Sequence, residues 1–172
     1  MSNTGIAVFV DGANFFFMQR DDLSWFADPK KLLEYIEREY GEIADAYYYV
    51  GKDVPPDARQ QGFLNALPRM GFSVVTKPIK TIYDTTTGTT KQKANLDIEI
   101  VLDMFNTIEN YETAILVSGD GDFDRPLQLL KARGKNFVVM ATDNFIAQEL
   151  RATAGKHYVN LADLKAEIEK KP

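Results

Sequence analysis

The sequence predicts an α/β fold, a three-layer sandwich around a central, mainly parallel sheet. Three observations carry that expectation. Apolar runs alternate with helix-like segments from end to end, the pattern of a doubly wound sheet. Two runs, Ile6-Ala7-Val8-Phe9-Val10 and Ala114-Ile115-Leu116-Val117, are apolar at successive positions, as in central strands covered on both faces. Each runs directly into a polar segment, Asp11-Gly12-Ala13-Asn14 and Ser118-Gly119-Asp120-Gly121-Asp122-Phe123-Asp124. Ligands of open α/β sheets bind at the carboxyl ends of the strands, where both segments place carboxylates.

The remaining elements follow in order. Asp28-Pro29 reads as an N-cap with proline at the first helical position, and Leu32, Leu33, Ile36 and Tyr40 share one apolar face. Residues 44–50 form a second strand, in which the alternation of Tyr47, Tyr48 and Tyr49 buries at least one ring. Pro55-Pro56 opens a helix that carries Phe63, Leu67 and Met70 to the core and stops at Gly71, and 72–76 is a third strand. The threonine-rich segment 78–93 breaks the alternation as a β-hairpin or a mobile loop. Then come a helix over 96–109, a strand over 113–118, a helix over 124–133 ended by Gly134, a strand over 136–142 and a helix over 144–152. A short strand around Tyr158 and a terminal helix capped by Asn160 complete a single domain over residues 1–172.

Composition narrows the chemistry. The chain has no cysteine, which excludes disulfides, thiolate metal sites and cysteine nucleophiles. Its one histidine, His157, lies in a late strand-like segment and reads as structural, so oxygen ligands and magnesium or manganese are favoured over zinc. No apolar run approaches bilayer length and no basic-then-apolar leader is visible, so a cytoplasmic protein without membrane partners is expected. A formal net charge of −5 argues against a general nucleic-acid coat protein. It leaves room for a nuclease, whose metal-binding carboxylates supply negative charge. There is no Gly-x-Gly-x-x-Gly after the first strand and no Gly-x-x-x-x-Gly-Lys-Ser/Thr, so the usual dinucleotide and triphosphate sites are not expected.

Carboxylates gathered on one rim repel each other by roughly 4 kcal/mol per close pair at an effective dielectric of 20. Asp11 either caps a short helix over residues 14–17 or, with Asn14 after a tight turn at Gly12, faces the rim. Of Asp120, Asp122 and Asp124, one caps the helix that begins near Pro126, and three carboxylates exceed what a cap needs. Asp97 shares a helical stripe with Ile100, Val101, Met104 and Ile108, so it points inward at the helix start, while Glu99 and Asp103 fall on the solvated face. Lys77, Lys80, Lys91 and Lys93 flank the threonine-rich segment, with Asp84 the one acid among them, as a phosphate-contacting patch or as ordinary surface lysines.

These features resemble the NYN domain, the LabA-like branch of the PIN-like ribonuclease superfamily. The likeness rests on Val10-Asp11-Gly12-Ala13-Asn14, on Lys93-x-x-x-Asp97 opening a helix, and on Ser118-Gly119-Asp120-Gly121-Asp122-Phe123, and spans roughly residues 5–160. It implies a PIN-like, Rossmann-like topology with an acidic pocket at the strand ends. Asp11, Asn14, Asp97 and Asp120 match the family's site, Ser118 matches the small polar residue of the pocket floor, and Asp122 and Asp124 compete for the remaining carboxylate place. The implied activity is a metal-dependent endoribonuclease. Asp11, Asp97 and Asp120, with Asp122 or Asp124, would hold one or two Mg²⁺ or Mn²⁺ ions. Asn14 would orient water or a phosphate oxygen, and Lys91 and Lys93 would contact the RNA backbone. The alternative is a catalytically weak NYN-type RNA-binding or regulatory module. A third reading is a metal-dependent phosphoesterase acting on nucleotides or DNA flaps. A homodimer and a protein that recruits the RNA remain open as partners.

Overall fold

Six parallel strands form the central sheet in the computed structural model, which describes residues 5–172 apart from the side chains of residues 81, 82 and 91–93. The strands are β1 (Ile6–Asp11), β2 (Ile43–Lys52), β3 (Ser73–Pro78), β6 (Thr113–Val117), β7 (Asn136–Ala141) and β8 (Tyr158–Asn160). Their order is β3-β2-β1-β6-β7-β8, with every neighbouring pair parallel. From β1 the chain builds outward through β2 and β3, then returns to the other side of β1 with β6. The crevice between the carboxyl ends of β1 and β6 is therefore the topological switch point.

Strand pleating sends alternate residues of the central strands into two separate cores. On one face, Ile6, Val8, Val10, Ile115 and Val117 pack with Phe15 of α1 (Gly12–Phe17), Leu32, Leu33 and Ile36 of α2 (Pro29–Tyr40), and Leu67 of α3 (Ala58–Met70). On the other, Ala7, Phe9, Ala114 and Leu116 pack with Ile100 and Met104 of α4 (Asp97–Asn106), Leu127 and Leu130 of α5 (Asp124–Ala132), and Leu150 of α6 (Gln148–Ala154). A short α7 (Lys165–Ile168) closes the first face with Ile168. The expected α/β sandwich with helices on both faces is present. Among the described residues, no helix is long and apolar enough to cross a membrane.

Several boundaries differ from the sequence expectation for identifiable reasons. Asp28 caps α2 as expected, its carboxylate accepting from the Lys30 N–H at 2.9 Å. Pro55-Pro56 does not open α3. Asp57 does, its carboxylate accepting from the Gln60 N–H at 2.8 Å, while Pro55, which precedes Pro56, is disfavoured in helical geometry. Within α3 it is Leu64 and Leu67 that are buried, while Phe63 is 38% exposed and only edges Tyr48. Residues 144–147 form a turn instead of a first helical turn: the Ala147 N–H is drawn to the Gly119 carbonyl at 2.9 Å, so α6 starts at Gln148. The helix expected over 96–109 ends at Asn106 and tightens into a 3₁₀ turn, Ile108–Asn110. Asn160 caps a 3₁₀ turn, Leu161–Leu164, ahead of α7.

The threonine-rich segment is a hairpin, β4 (Lys80–Asp84) and β5 (Thr89–Lys93), antiparallel and apart from the main sheet. An unforeseen π-helical turn, Met18–Leu23, follows α1. Buried Gln19 holds it, donating to the Phe15 carbonyl at 3.1 Å and accepting from the Ala27 N–H at 2.7 Å.

Candidate metal centre

Asp11 ends β1 and is almost fully buried. The cap and the rim readings of Asp11 both hold, because one carboxylate serves both: Oδ1 accepts from the Asn14 N–H at 3.4 Å, and Oδ2 accepts from the Ser118 hydroxyl at 2.9 Å. Ser118 itself is completely buried just past β6, and its Oγ also accepts from the Asp120 N–H at 3.2 Å. Asp120 caps the 3₁₀ turn Gly121–Phe123 by accepting from the Asp122 N–H at 2.9 Å. The capping acid thus serves this turn, and α5 starts at Asp124 with no side-chain cap.

The third carboxylate comes from the opposite side of the crevice. Asp97 opens α4, and its N–H donates to Asn95 Oδ1 at 2.9 Å, an Asx turn that aims the first helical turn. Ile100, Met104 and Ile108 on the same stripe are buried, so the helix is rolled with Asp97 towards the crevice. One oxygen from each of Asp11, Asp97 and Asp120 lies within 4.8 Å of the others.

Two glycines make the approach of these loops feasible. A Cβ on Gly12 would stand 2.3 Å from the Tyr49 carbonyl oxygen, and one on Gly119 would stand 2.5 Å from the Phe145 carbonyl oxygen. Asn14 closes the ring, its Oδ1 accepting from the Gly119 N–H at 2.9 Å.

Burial and mutual repulsion raise the Asp97 and Asp11 carboxylates of the cluster. Asp97 is pushed up to about 7, first by burial, then by the Asp11 charge, by a hydrogen bond to Asp120 and by the charges of Asp120 and Asp122. Every one of those influences acts in the same direction. Burial also raises Asp11, opposed by the bonds from Ser118 and the Asn14 N–H. Three hard oxygen donors that repel one another, with no histidine or cysteine beside them, fit a divalent cation.

The other acidic candidates stand outside this trio. Asp122 is exposed, and acts on Asp97 through its charge. Asp124 Oδ1 accepts from Gln128 Nε2 at 3.1 Å and from the Thr153 hydroxyl, which turns it towards α5 and α6. The side chains of Lys91 and Lys93 lie outside the described residues. Lys77 is taken up by an ion pair with Glu99 and by the Asn95 carbonyl at 3.3 Å, while Lys80 is exposed on β4.

Two assignments to a solvated face of α4 are corrected. Asp103 accepts from the Tyr49 hydroxyl at 2.8 Å, and Glu99 is engaged by Lys77. The residues that α4 turns to solvent include Ile98 and Leu102, each more than 60% exposed. Helical periodicity cannot register that β2 reaches under this helix and offers a tyrosine. Asn95, two residues before the helix, was the overlooked positioning residue, and an asparagine at that spacing was the available signal.

The comparisons with known proteins bear on the family and the fold. The NYN domain model matches residues 5–162. The low amplitude and bright protein LabA of Synechococcus elongatus is 45% identical over 167 residues, covering 96% of this chain and 88% of LabA. The crystal structure of VPA0982, a protein of unknown function from Vibrio parahaemolyticus, superposes with a TM-score of 0.80 at 25% identity, covering 98% of this chain and 97% of that one. With the motifs, the sheet order and the family model in agreement over nearly its whole length, the chain belongs to the NYN domain family, in its LabA-like branch.

Proposed function

We propose that the protein is a cation-dependent RNA-binding or regulatory NYN module in which catalysis is weak. The carrying observation is the make-up of the acidic cluster: three carboxylates converge, while Asp122 is exposed and Asp124 is bonded to Gln128 and Thr153. A two-ion hydrolytic site needs ligands for both ions, and among the described residues no fourth carboxylate joins the three that converge. LabA, the 45% identical relative, is named for low amplitude and brightness and not for a reaction. Asp11, Asp97 and Asp120 would hold Mg²⁺ or Mn²⁺, whose positive charge would make the acidic rim attractive to a phosphate of the RNA. Asn14 keeps its NH₂ as a donor for a phosphate oxygen, its carbonyl being occupied by Gly119. Lys91 and Lys93 of β5 are the proposed backbone contacts.

The second reading, an endoribonuclease hydrolysing RNA phosphodiesters, rests on the same three acids and on family membership. A bound ion would then supply an activated water. Labelled single-stranded RNA incubated with Mn²⁺, with EDTA and with the Asp11→Asn variant separates the two, circular dichroism confirming that the variant folds. The regulatory reading expects Mn²⁺-dependent binding, lost with EDTA and in Asp11→Asn, and little product. Multiple-turnover cleavage that disappears in Asp11→Asn would put the nuclease in its place. Absence of RNA binding under every condition would remove both.

A further inference from the structure

A second feature occupies the same edge of the sheet. A pocket of about 230 Å³ opens at the carboxyl ends of β7 and β8, lined by Asp22, Trp25, Thr142, Asp143, Asn144 and Asn160. Adjacent strands are about 4.8 Å apart, so the β7–β8 gap lies two strand spacings, about 10 Å, from the β1–β6 crevice. The loop between them belongs to both places. It packs on Gly119 beside the acidic cluster through Phe145 and Ala147, and it contributes Thr142, Asp143 and Asn144 to the pocket. The pocket is smaller than the ~300 Å³ at which sites for whole ligands begin. Its volume is that of roughly eight waters at 30 Å³ each, which suits one heterocyclic ring system.

The polar groups select among rings. Asp143 is engaged by Arg151 at 3.0 Å and by the Tyr158 hydroxyl at 2.8 Å. Asn160 Oδ1 accepts from the Ala162 N–H at 2.9 Å. Asp22, carried in by the π-helical turn, accepts from Asn144 Nδ2 at 2.8 Å, and an ionised carboxylate offers about four acceptor sites. The completely buried Thr142 hydroxyl stands beside it without a well-formed hydrogen bond of its own. With Asn144 it keeps Asp22 below the ordinary carboxylate range, hence charged and unable to donate. A phosphate is disfavoured here by the Asp22 carboxylate, which, unlike Asp143, has no cationic partner among the described residues. A base with two adjacent donors is favoured, and among the four RNA bases only guanine presents two, N1–H and the N2 amino group, on one edge. Trp25, partly buried in the core and lining the pocket, is an aromatic side chain of the kind on which RNA bases stack.

We propose that this pocket takes one guanine base, read by the Asp22 carboxylate and stacked on Trp25, from the RNA strand whose phosphate lies at the acidic cluster. Only the source of the base, an RNA strand, rests on the function proposed above. Trp25 is the single tryptophan of the chain, so its fluorescence reports the pocket directly. Full-length protein with Mn²⁺ is titrated with guanosine, inosine and adenosine 5′-monophosphates, and with short RNAs carrying one guanosine, one inosine or none. Inosine lacks the N2 amino group and should bind roughly tenfold more weakly in both series, within the range of a lost bidentate base contact. Asp22→Asn should erase the difference between guanosine and inosine while leaving Mn²⁺ affinity unchanged. Equal binding of guanosine and inosine, or selectivity intact in Asp22→Asn, overturns the pocket whether or not RNA binds. Guanine selectivity with the free nucleotides but no binding of any RNA upholds the pocket and overturns the RNA reading.

Discussion

The Ser118 hydroxyl donates to Asp11 Oδ2 across 2.9 Å, tying the end of β6 to the end of β1 inside a fully buried environment. The same oxygen accepts from the Asp120 N–H, so one side chain orients two members of the acidic cluster. Ser118→Ala leaves a buried carboxylate and an amide short of partners, a loss of about 1–3 kcal/mol in stability. Cation affinity should fall by roughly 10–100-fold, as when a group orienting a metal ligand is removed. Urea unfolding and Mn²⁺ calorimetry check both, and an unchanged midpoint would show that Asp11 is held by other contacts.

Asp97 leads to a prediction in which stability and binding move in opposite directions. Its folded pKa, about 7, lies above the unfolded 3.8, so between those values the folded state holds more protons. Stability of the metal-free protein therefore falls as pH rises through that window, and does not rise as it would for a salt-bridged carboxylate. Asp97→Asn should raise the metal-free melting temperature above pH 7, with the gain fading towards pH 4. It should also weaken Mn²⁺ binding by more than the Ser118 variant does. In the wild type, Mn²⁺ displaces the proton, so affinity rises by up to about tenfold per pH unit below 7 and then levels. Melting curves and calorimetry at pH 5.5, 6.5 and 7.5 test the set. A wild-type affinity flat across that range would contradict it.

Glycine positions give a contrasting pair. At Gly12 a methyl group meets the Tyr49 carbonyl of β2 at 2.3 Å, and neither partner is a flexible side-chain end. Gly12→Ala should cost at least the 1–3 kcal/mol typical of overpacking and displace the Asp11 turn. Gly62, inside α3 with nothing within 4 Å of its added Cβ, is the opposite case. Gly62→Ala should stabilise by about 0.4–1 kcal/mol through the unfolded chain. Thermal melts of the two variants in parallel should shift in opposite directions.

Much of the fold was legible because the signals were local. Ile6 to Val10 and Ala114 to Val117 are apolar on both faces, which reads as a doubly covered strand, and the structure buries each of these residues. The Asp97 stripe was legible for the same reason, a periodicity carried within one helix. Legibility failed where a distant group intervened. Ala147 gave its N–H to Gly119 and not to a helical turn, and Asp103 met Tyr49 where the pattern showed only a polar face. The choice among Asp120, Asp122 and Asp124 was also hidden, since three acids spaced two apart are equivalent until the chain turns. The 3₁₀ turn after Asp120 sends Asp122 to solvent and Asp124 towards Thr153.

By itself the sequence determined most of the strands and helices, the apolar faces of the central strands, and which residues have the chemistry to hold a cation. The tertiary structure decided which of those residues meet. Periodicity is a property of one segment, whereas convergence depends on strand order. Only the parallel pairing of β1 with β6 brings Asp11 and Asp120 to one crevice, and only the packing of α4 over it adds Asp97.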